Sequence, residues 1–218
     1  QAAGFAAIGY AQTNGTLGVA YATRGPGFTN LVTAIADAYQ ESVPVLFITA
    51  HSQQNRKPVQ RMEVDQEIDA AAMAENVTKY AARIDLPSDF IDAVDAACQC
   101  AIQGRHGPVL LDVYSSLWTQ EVKKPKQLNT GQEYTDIANL AEVYRQVNES
   151  KRPIILAGNG VQQSKSAQLV QKLSEALHIP ILTSRCSQDL FSAAPTYFGY
   201  IGSHGLRYSN FILSKADL

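Results

Sequence analysis

The sequence predicts an α/β protein made of two parallel-sheet, three-layer domains. Three observations carry that prediction. Apolar runs stand at 17–23, 44–50, 109–114, 153–157 and 179–183, and segments of helical character separate them. Unbroken apolarity, as against strict alternation, is the mark of strands covered on both faces. A strand, helix, strand order calls for crossover connections, and so for parallel pairing with helices laid over the sheet. Between the two sets of runs, 119–135 is polar, holds three lysines and has no apolar period. Such a stretch reads as an interdomain linker and divides the chain into domains at 1–118 and 136–218.

The elements follow in order. Residues 1–12 (Gln-Ala-Ala-Gly-Phe-Ala-Ala-Ile-Gly-Tyr-Ala-Gln) read as a helix already under way, because no capping residue precedes them. Asn14-Gly15 is a turn signal. The run at 17–23 is the first strand; Gly25-Pro26-Gly27 breaks it, and a helix follows over 29–41. The run at 44–50 is the second strand. Residues 52–65 are polar and aperiodic and read as a loop; 66–76 read as a helix and 78–83 as a short strand. Ser88, or Asp89, is the expected cap of a helix running to 103. Gly107-Pro108 then opens the strand at 109–114. In the second half, 137–149 is amphipathic, with Ile137, Leu140, Val143, Tyr144 and Val147 on one side. The run at 153–157 is a strand, Gly158-Asn159-Gly160 a tight turn, 166–177 a helix and 179–183 a strand. Residues 187–218 hold turns, a glycine-rich stretch and one helix.

Composition narrows the function classes. The 218 residues are 45% hydrophobic and 17% charged, with net charge −2. That suits a soluble domain with a sizeable core. No basic field is present for nucleic acid, and no run of 18 apolar residues for a membrane span. The three cysteines, Cys98, Cys100 and Cys186, fit neither a disulfide framework nor metal-ligand spacing. They are expected to be reduced, mostly buried thiols of a cytoplasmic protein. The chain does not begin with Met, so its true N-terminus is expected to lie further upstream.

Three segments could carry chemistry. Thr23-Arg24-Gly25-Pro26-Gly27-Phe28-Thr29-Asn30 joins a strand to a helix, where α/β proteins place ligands. Its glycines would let backbone approach a ligand, but they equally suit a tight turn. Gly158-Asn159-Gly160 has the same setting, and G-x-G alone serves a turn as readily as a nucleotide. His204 stands between Gly202 and Gly205. His51, His106 and His178 show no partner pattern, and no Ser/His/Asp arrangement, zincin helix or phosphate loop is present.

Taken together, the segments resemble one family. The opening helix, Thr-Arg-Gly-Pro-Gly-Phe-Thr-Asn-Leu-Val-Thr-Ala-Ile-Ala-Asp-Ala-Tyr-Gln-Glu-Ser-Val-Pro, Gln66-Glu67-Ile68-Asp69 and Arg105-His106-Gly107-Pro108-Val109-Leu110-Leu111-Asp112-Val113 are similar to the pyrimidine-binding domain of acetolactate synthase-like, thiamine-diphosphate-dependent enzymes. Arg152 to Val161 and Gly199 to Leu218 resemble the first half of that family's Rossmann-like central domain. The resemblance implies a carboligase or decarboxylase acting on small 2-oxo acids, with the cofactor doing the organic chemistry and the protein orienting it. It places Gly25, Pro26, Asn30 and Gln66 beside the cofactor.

The family's activating glutamate would precede Gln1, so no catalytic residue is assigned within the chain. The metal motif, Gly-Asp-Gly, is also not found here. No metal ligand is therefore assigned, and Mg²⁺ is expected to be held outside this sequence. FAD is a further cofactor of some members. Gly158, Asn159, Gly160 and His204 mark where it would bind, with Gly-Asn-Gly in place of Gly-Gly-Gly and Ser-His-Gly in place of Met-His-Gly. The family builds its sites between subunits, which implies a homodimer or homotetramer for the longer protein. The isolated chain is expected to be inactive and to expose apolar interface surface. The alternative reading is a non-catalytic nucleotide-binding or dimerisation module.

Overall fold

The computed structural model describes residues 1–52, 65–122 and 139–218. The chain divides into two compact units, Gln1–Glu133 and Tyr134–Leu218. Both are α/β with parallel sheets. Most of the expected linker, 123–135, and Ile137 of the expected amphipathic face lie outside the described residues.

The first unit has the order α1 (Ala2–Asn14), β1 (Gly18–Tyr21), α2 (Pro26–Gln40), β2 (Val45–His51), α3 (Ala70–Ala74), β3 (Tyr80–Ile84), α4 (Pro87–Ile102) and β4 (Val109–Tyr114). Its four strands pair in the order β1-β2-β4-β3, all parallel. Alternate residues of each central strand feed opposite cores. Phe47 and Leu110 join Phe28, Leu31 and Ile35 under α1, α2 and α3. Leu46, Leu111, Val113 and Ile84 pack with Ala97, Cys98 and Ala101 of α4. Val109, Leu110, Leu111 and Val113 are all at most 1% exposed, which explains the unbroken apolar run. Burying each such side chain stabilises the fold by about 1.5–3 kcal/mol.

Several boundaries differ from the sequence reading. The helix expected at 29–41 begins at Pro26, because proline fits the first helical position, where its missing N–H costs nothing. The same effect moves the start of α4 to Pro87, with Leu86 at the cap position in place of Ser88 or Asp89. The helix expected at 66–76 is only α3 followed by a single 3₁₀ turn, Glu75–Val77. Asp69 ends the preceding loop by accepting a hydrogen bond from the Ala72 amide at 3.0 Å, a side-chain N-cap.

The second unit contains α5 (Leu140–Glu149), β5 (Ile155–Ala157), α6 (Asn159–Gln163), α7 (Ala167–Leu177), β6 (Ile181–Thr183), β7 (Tyr197–Tyr200) and α8 (Arg207–Lys215). Its parallel sheet has the order β5-β6-β7 over a core of Ala157, Ile181, Phe191 and Ala194. The strand β7 has no apolar run to announce it. It is Tyr-Phe-Gly-Tyr, with Gly199 at φ +85° and irregular pairing against β6. Gly158-Asn159-Gly160 is not a simple turn either, since Gly158 caps the short α6. The thiols also differ from expectation: Cys98 is buried, Cys100 half-buried and Cys186 exposed. Among the described residues no helix is long and apolar enough to cross a membrane.

Candidate functional site

The carboxyl ends of the parallel strands in the first unit carry the residues singled out from sequence. After β1 the chain runs through Thr23 and Arg24 to Gly25, whose φ of +58° and ψ of −121° are open to glycine at little cost. Pro26 then starts α2. The Asn30 side-chain amide donates to the Pro26 carbonyl at 2.8 Å, and the Thr29 hydroxyl donates to the same oxygen at 3.2 Å. One of the two Asn30 side-chain N–H donors is thus used internally, which fixes the amide group and leaves its oxygen and second N–H to offer outward. Pro26, Thr29 and Asn30 are exposed.

Gln66 reaches this turn from a separate loop. It adopts φ +58°, which is rare for a residue with a side chain. A Cβ placed on Gly25 would stand 2.8 Å from the Gln66 Cβ, and the Gln66 carbonyl oxygen would be nearer still. Only glycine lets the two backbones approach this closely. Pro26, Asn30 and Gln66 are therefore brought to one exposed rim, with Gly25 buried beneath it against Gln66.

A polar layer lies below the rim. On the β2 face that bears Phe47, the next inward residues are Thr49 and then His51, both 0% exposed. Their partners in β4 are Asp112 and Tyr114. The His51 ring sits between two carboxylates, with Nε2 2.9 Å from Asp85 and Nδ1 3.3 Å from Asp112. It stacks on Tyr114, ring centres 5.7 Å apart. Its carbonyl accepts from the Ser115 hydroxyl at 2.8 Å. Arg83, the register partner of Asp112 in β3, holds Asp85 at 3.4 Å. Next along the chain, the Ser52 amide donates to the buried Glu67 carboxylate at 3.0 Å, while the Arg24 guanidinium donates to the Ser52 hydroxyl.

Sequence reasoning assigned nothing to His51, and treated Glu67 only as part of a motif. The available signal was charge inside apolar strands. Asp112 interrupts Val-Leu-Leu-Asp-Val, and His51 ends Val-Leu-Phe-Ile-Thr-Ala-His. A buried polar group in such a run needs a partner.

In the second unit, Gly158 follows β5 and His204 follows β7, so both stand at the carboxyl edge of that sheet, with β6 between the two strands. Among the described residues, a Cβ on Gly158 would meet only the Ser184 hydroxyl, at 4.0 Å, and one on Gly160 would meet nothing within 4 Å. His204 Nδ1 is 3.0 Å from the Ser203 hydroxyl. The loop is closed by Asn210, which accepts from the Gly202 amide and donates to the Gly202 carbonyl, both at 3.0 Å.

Comparison with known proteins agrees with this layout. The family model for the thiamine pyrophosphate enzyme N-terminal TPP binding domain matches residues 1–82, and the model for the central domain of the same enzymes matches residues 140–218. The whole chain is 33% identical to a probable acetolactate synthase large subunit of Methanocaldococcus jannaschii, over 38% of that protein. It is 33% identical to the acetolactate synthase large subunit of Corynebacterium glutamicum, over 36% of that protein. It is also 33% identical to the chloroplastic acetolactate synthase 1 of Zea mays, over 35% of it. The chain thus spans little more than a third of the length of these relatives. With glycine-dependent contact between the Gly-Pro-Gly turn and Gln66 in the first unit, and both family domains matched in order, the chain belongs to the thiamine pyrophosphate enzymes and is similar along its whole length to acetolactate synthase large subunits.

Proposed function

We propose that the rim of Gly25, Pro26, Asn30 and Gln66 is the part of a thiamine diphosphate site that receives the aminopyrimidine, within a carboligase or decarboxylase acting on small 2-oxo acids. The observation that carries this reading is the approach of Gly25 to Gln66, which brings two sequence-distant motifs onto one exposed rim. The rim residues fit the group. They are uncharged, they present amide oxygens and nitrogens that suit a heterocycle with donors and acceptors, and their backbones lie flat enough for close approach. Gln66 holds a sparsely populated backbone conformation at this rim, and strain of that kind gathers at ligand sites.

When bound, thiamine diphosphate supplies the carbanion chemistry that cleaves and joins bonds at a 2-oxo carbon. The residues here bind and orient. Asn30 holds its amide in one orientation because one N–H is tied to Pro26, leaving the oxygen and the second N–H for a ligand. Gln66 projects its side-chain amide from the facing wall. The activating glutamate, the Mg²⁺ ligands and the substrate contacts belong to the proposal as residues outside this chain. So does assembly into homodimers or homotetramers. A cytoplasmic setting is part of it too, supported by three cysteines that form no disulfide. The domain roles follow: pyrimidine binding for 1–118, a linker at 119–135, and a Rossmann-like central domain for 136–218.

A flavin role for the second unit is favoured by the open space around Gly158 and Gly160, where packing does not require a glycine. Gly158, Asn159, Gly160 and His204 would line that site. Calorimetric titration of thiamine diphosphate with Mg²⁺, and separately of FAD, into the longer protein that carries this chain and into its Asn30→Ala and Gln66→Ala variants tests both. Heat of binding for thiamine diphosphate that weakens on the order of tenfold or more in each variant supports the rim. Equal heats in wild type and variants would remove the rim from the site.

A further inference from the structure

We propose that His51 is a positioning residue for the rim: held between Asp85 and Asp112, it fixes Ser52, which ties Arg24 on one wall to Glu67 on the other and so sets the approach of Gly25 to Gln66. This inference rests on the rim being the ligand face, as proposed above.

The geometry is a chain of short links. His51 is fully buried at the end of β2, and each ring nitrogen faces a carboxylate oxygen, of Asp85 at 2.9 Å and of Asp112 at 3.3 Å. Asp112 lies in β4 and Asp85 directly follows the last residue of β3, the two strands that come after β2 across the sheet. The ring therefore stitches three strand ends together. Tyr114 closes one side of it by stacking, and Ser115 pins its carbonyl. Asp112 is 0% exposed, and among the described residues neither of its oxygens nor His51 Nδ1 makes a conventional hydrogen bond; Nδ1 faces Asp112 Oδ1 at 3.3 Å as a close polar contact. A carboxylate buried in this way favours a polar ring beside it over an apolar side chain, since desolvating it next to apolar groups alone is costly.

One residue further along, Ser52 touches both walls. Its amide donates to Glu67 and its hydroxyl accepts from Arg24. Glu67 is chain neighbour to Gln66, and Arg24 is chain neighbour to Gly25. The rotation of the backbone at 51–52 therefore sets both neighbours of the closest contact in the site. A histidine needed only to fill space would require no carboxylate on either nitrogen. Here the contacts fix direction as well as volume.

Amide hydrogen exchange on the 218-residue chain tests the idea without any cofactor. His51→Leu keeps most of the volume and removes both polar contacts; His51→Gln keeps one side-chain donor. We expect His51→Leu to speed exchange at Ser52 and across 65–69 on the order of tenfold, with α1 and α4 unchanged, and His51→Gln to restore much of the protection. Should His51→Leu fail to fold, Asp85→Ala, which removes the carboxylate on Nε2 at a part-exposed position and keeps the ring, is expected to free the same two segments. Protection at 65–69 that is the same in wild type, His51→Leu and Asp85→Ala overturns the proposal. Thiamine diphosphate titration with Mg²⁺ into the longer protein carrying the same substitutions separates the two readings. Faster exchange with unchanged thiamine diphosphate heats would keep His51 as the organiser of this loop and count against the rim as the cofactor face.

Discussion

Gly25 and Gln66, 41 positions apart in sequence, meet with the same backbone angle, φ +58° in each. They meet so closely that any side chain at Gly25 would overlap Gln66. One of the two can adopt that angle freely and the other cannot. The contact thus combines a residue that makes room with one that is held under strain, and that pairing organises the first predictions.

Gly25→Ala should destabilise the chain by two separate effects, the left-handed backbone and the clash with Gln66. Gly104 offers a control for the first. It has the same φ of +58°, but a Cβ there would meet nothing within 4 Å. We expect Gly104→Ala to cost about 1 kcal/mol and Gly25→Ala about 3 kcal/mol. Urea unfolding of both variants measures the difference, and equal losses would mean that the Gln66 wall moves aside without resistance.

Gln66→Gly should do the opposite for stability. It removes a non-glycine residue from a left-handed angle, so the folded state gains about 1 kcal/mol, less the entropy that glycine adds to the unfolded chain. It also deletes the amide that the rim presents. A variant that is as stable as wild type or more so, yet loses affinity for thiamine diphosphate, would show strain kept for function. A clear loss of stability in urea would show that the Gln66 side chain holds the loop by contacts of its own.

Much of this was legible in the sequence, and the physics says why. The buried strands β2, β4 and β6 announce themselves because both faces of each need apolar residues; β1, expected to be buried as well, is an edge strand that leaves Val19 and Tyr21 exposed. The Gly-Pro-Gly turn announces itself because proline and glycine admit few alternatives. What stayed hidden is what depends on tertiary approach. β7 is held by an irregular ladder and by Ser209, whose hydroxyl donates to the Phe198 carbonyl at 2.5 Å, and no periodicity encodes that. The late start of the helix expected at 66–76 was written in Asp69, an N-capping residue set inside an otherwise helical stretch. The site divided in the same way. Gly25, Pro26, Asn30 and Gln66 could be named as candidates from motifs, but the His51 layer could not, because Asp112 in β4 and Asp85 just after β3 are brought beside it only by the sheet order.

The thiols should react in the order of their exposure. Burial pushes the Cys98 thiol up, and the nearby Asp95 charge adds to the shift, so its thiolate is scarce at neutral pH. Cys186 is exposed. Iodoacetamide at pH 7.5 with peptide mass analysis should find Cys186 alkylated first and Cys98 last, roughly tenfold or more slower. Early alkylation of Cys98 would mean that α4 opens away from its sheet.

The second unit should self-associate through α7. Leu169, Leu173 and Leu177 recur at every fourth residue, which puts them on one side of the helix. They are 70%, 52% and 47% exposed, and on α5 Leu140, Val143 and Tyr144 are exposed as well. The amphipathic face expected at 137–149 is real, then, but its apolar side is not covered by the described residues of its own unit. Contiguous apolar surface of this kind favours association in water, because each leucine removed from solvent contributes about 1–3 kcal/mol. Sedimentation velocity across a concentration series should show the chain shifting to larger species. Leu169→Lys with Leu173→Lys should hold it monomeric, with the urea midpoint little changed because neither side chain supports the core. Association that persists unchanged in the double variant would move the sticky surface off α7, with the exposed face of α5 next in line for the same substitution.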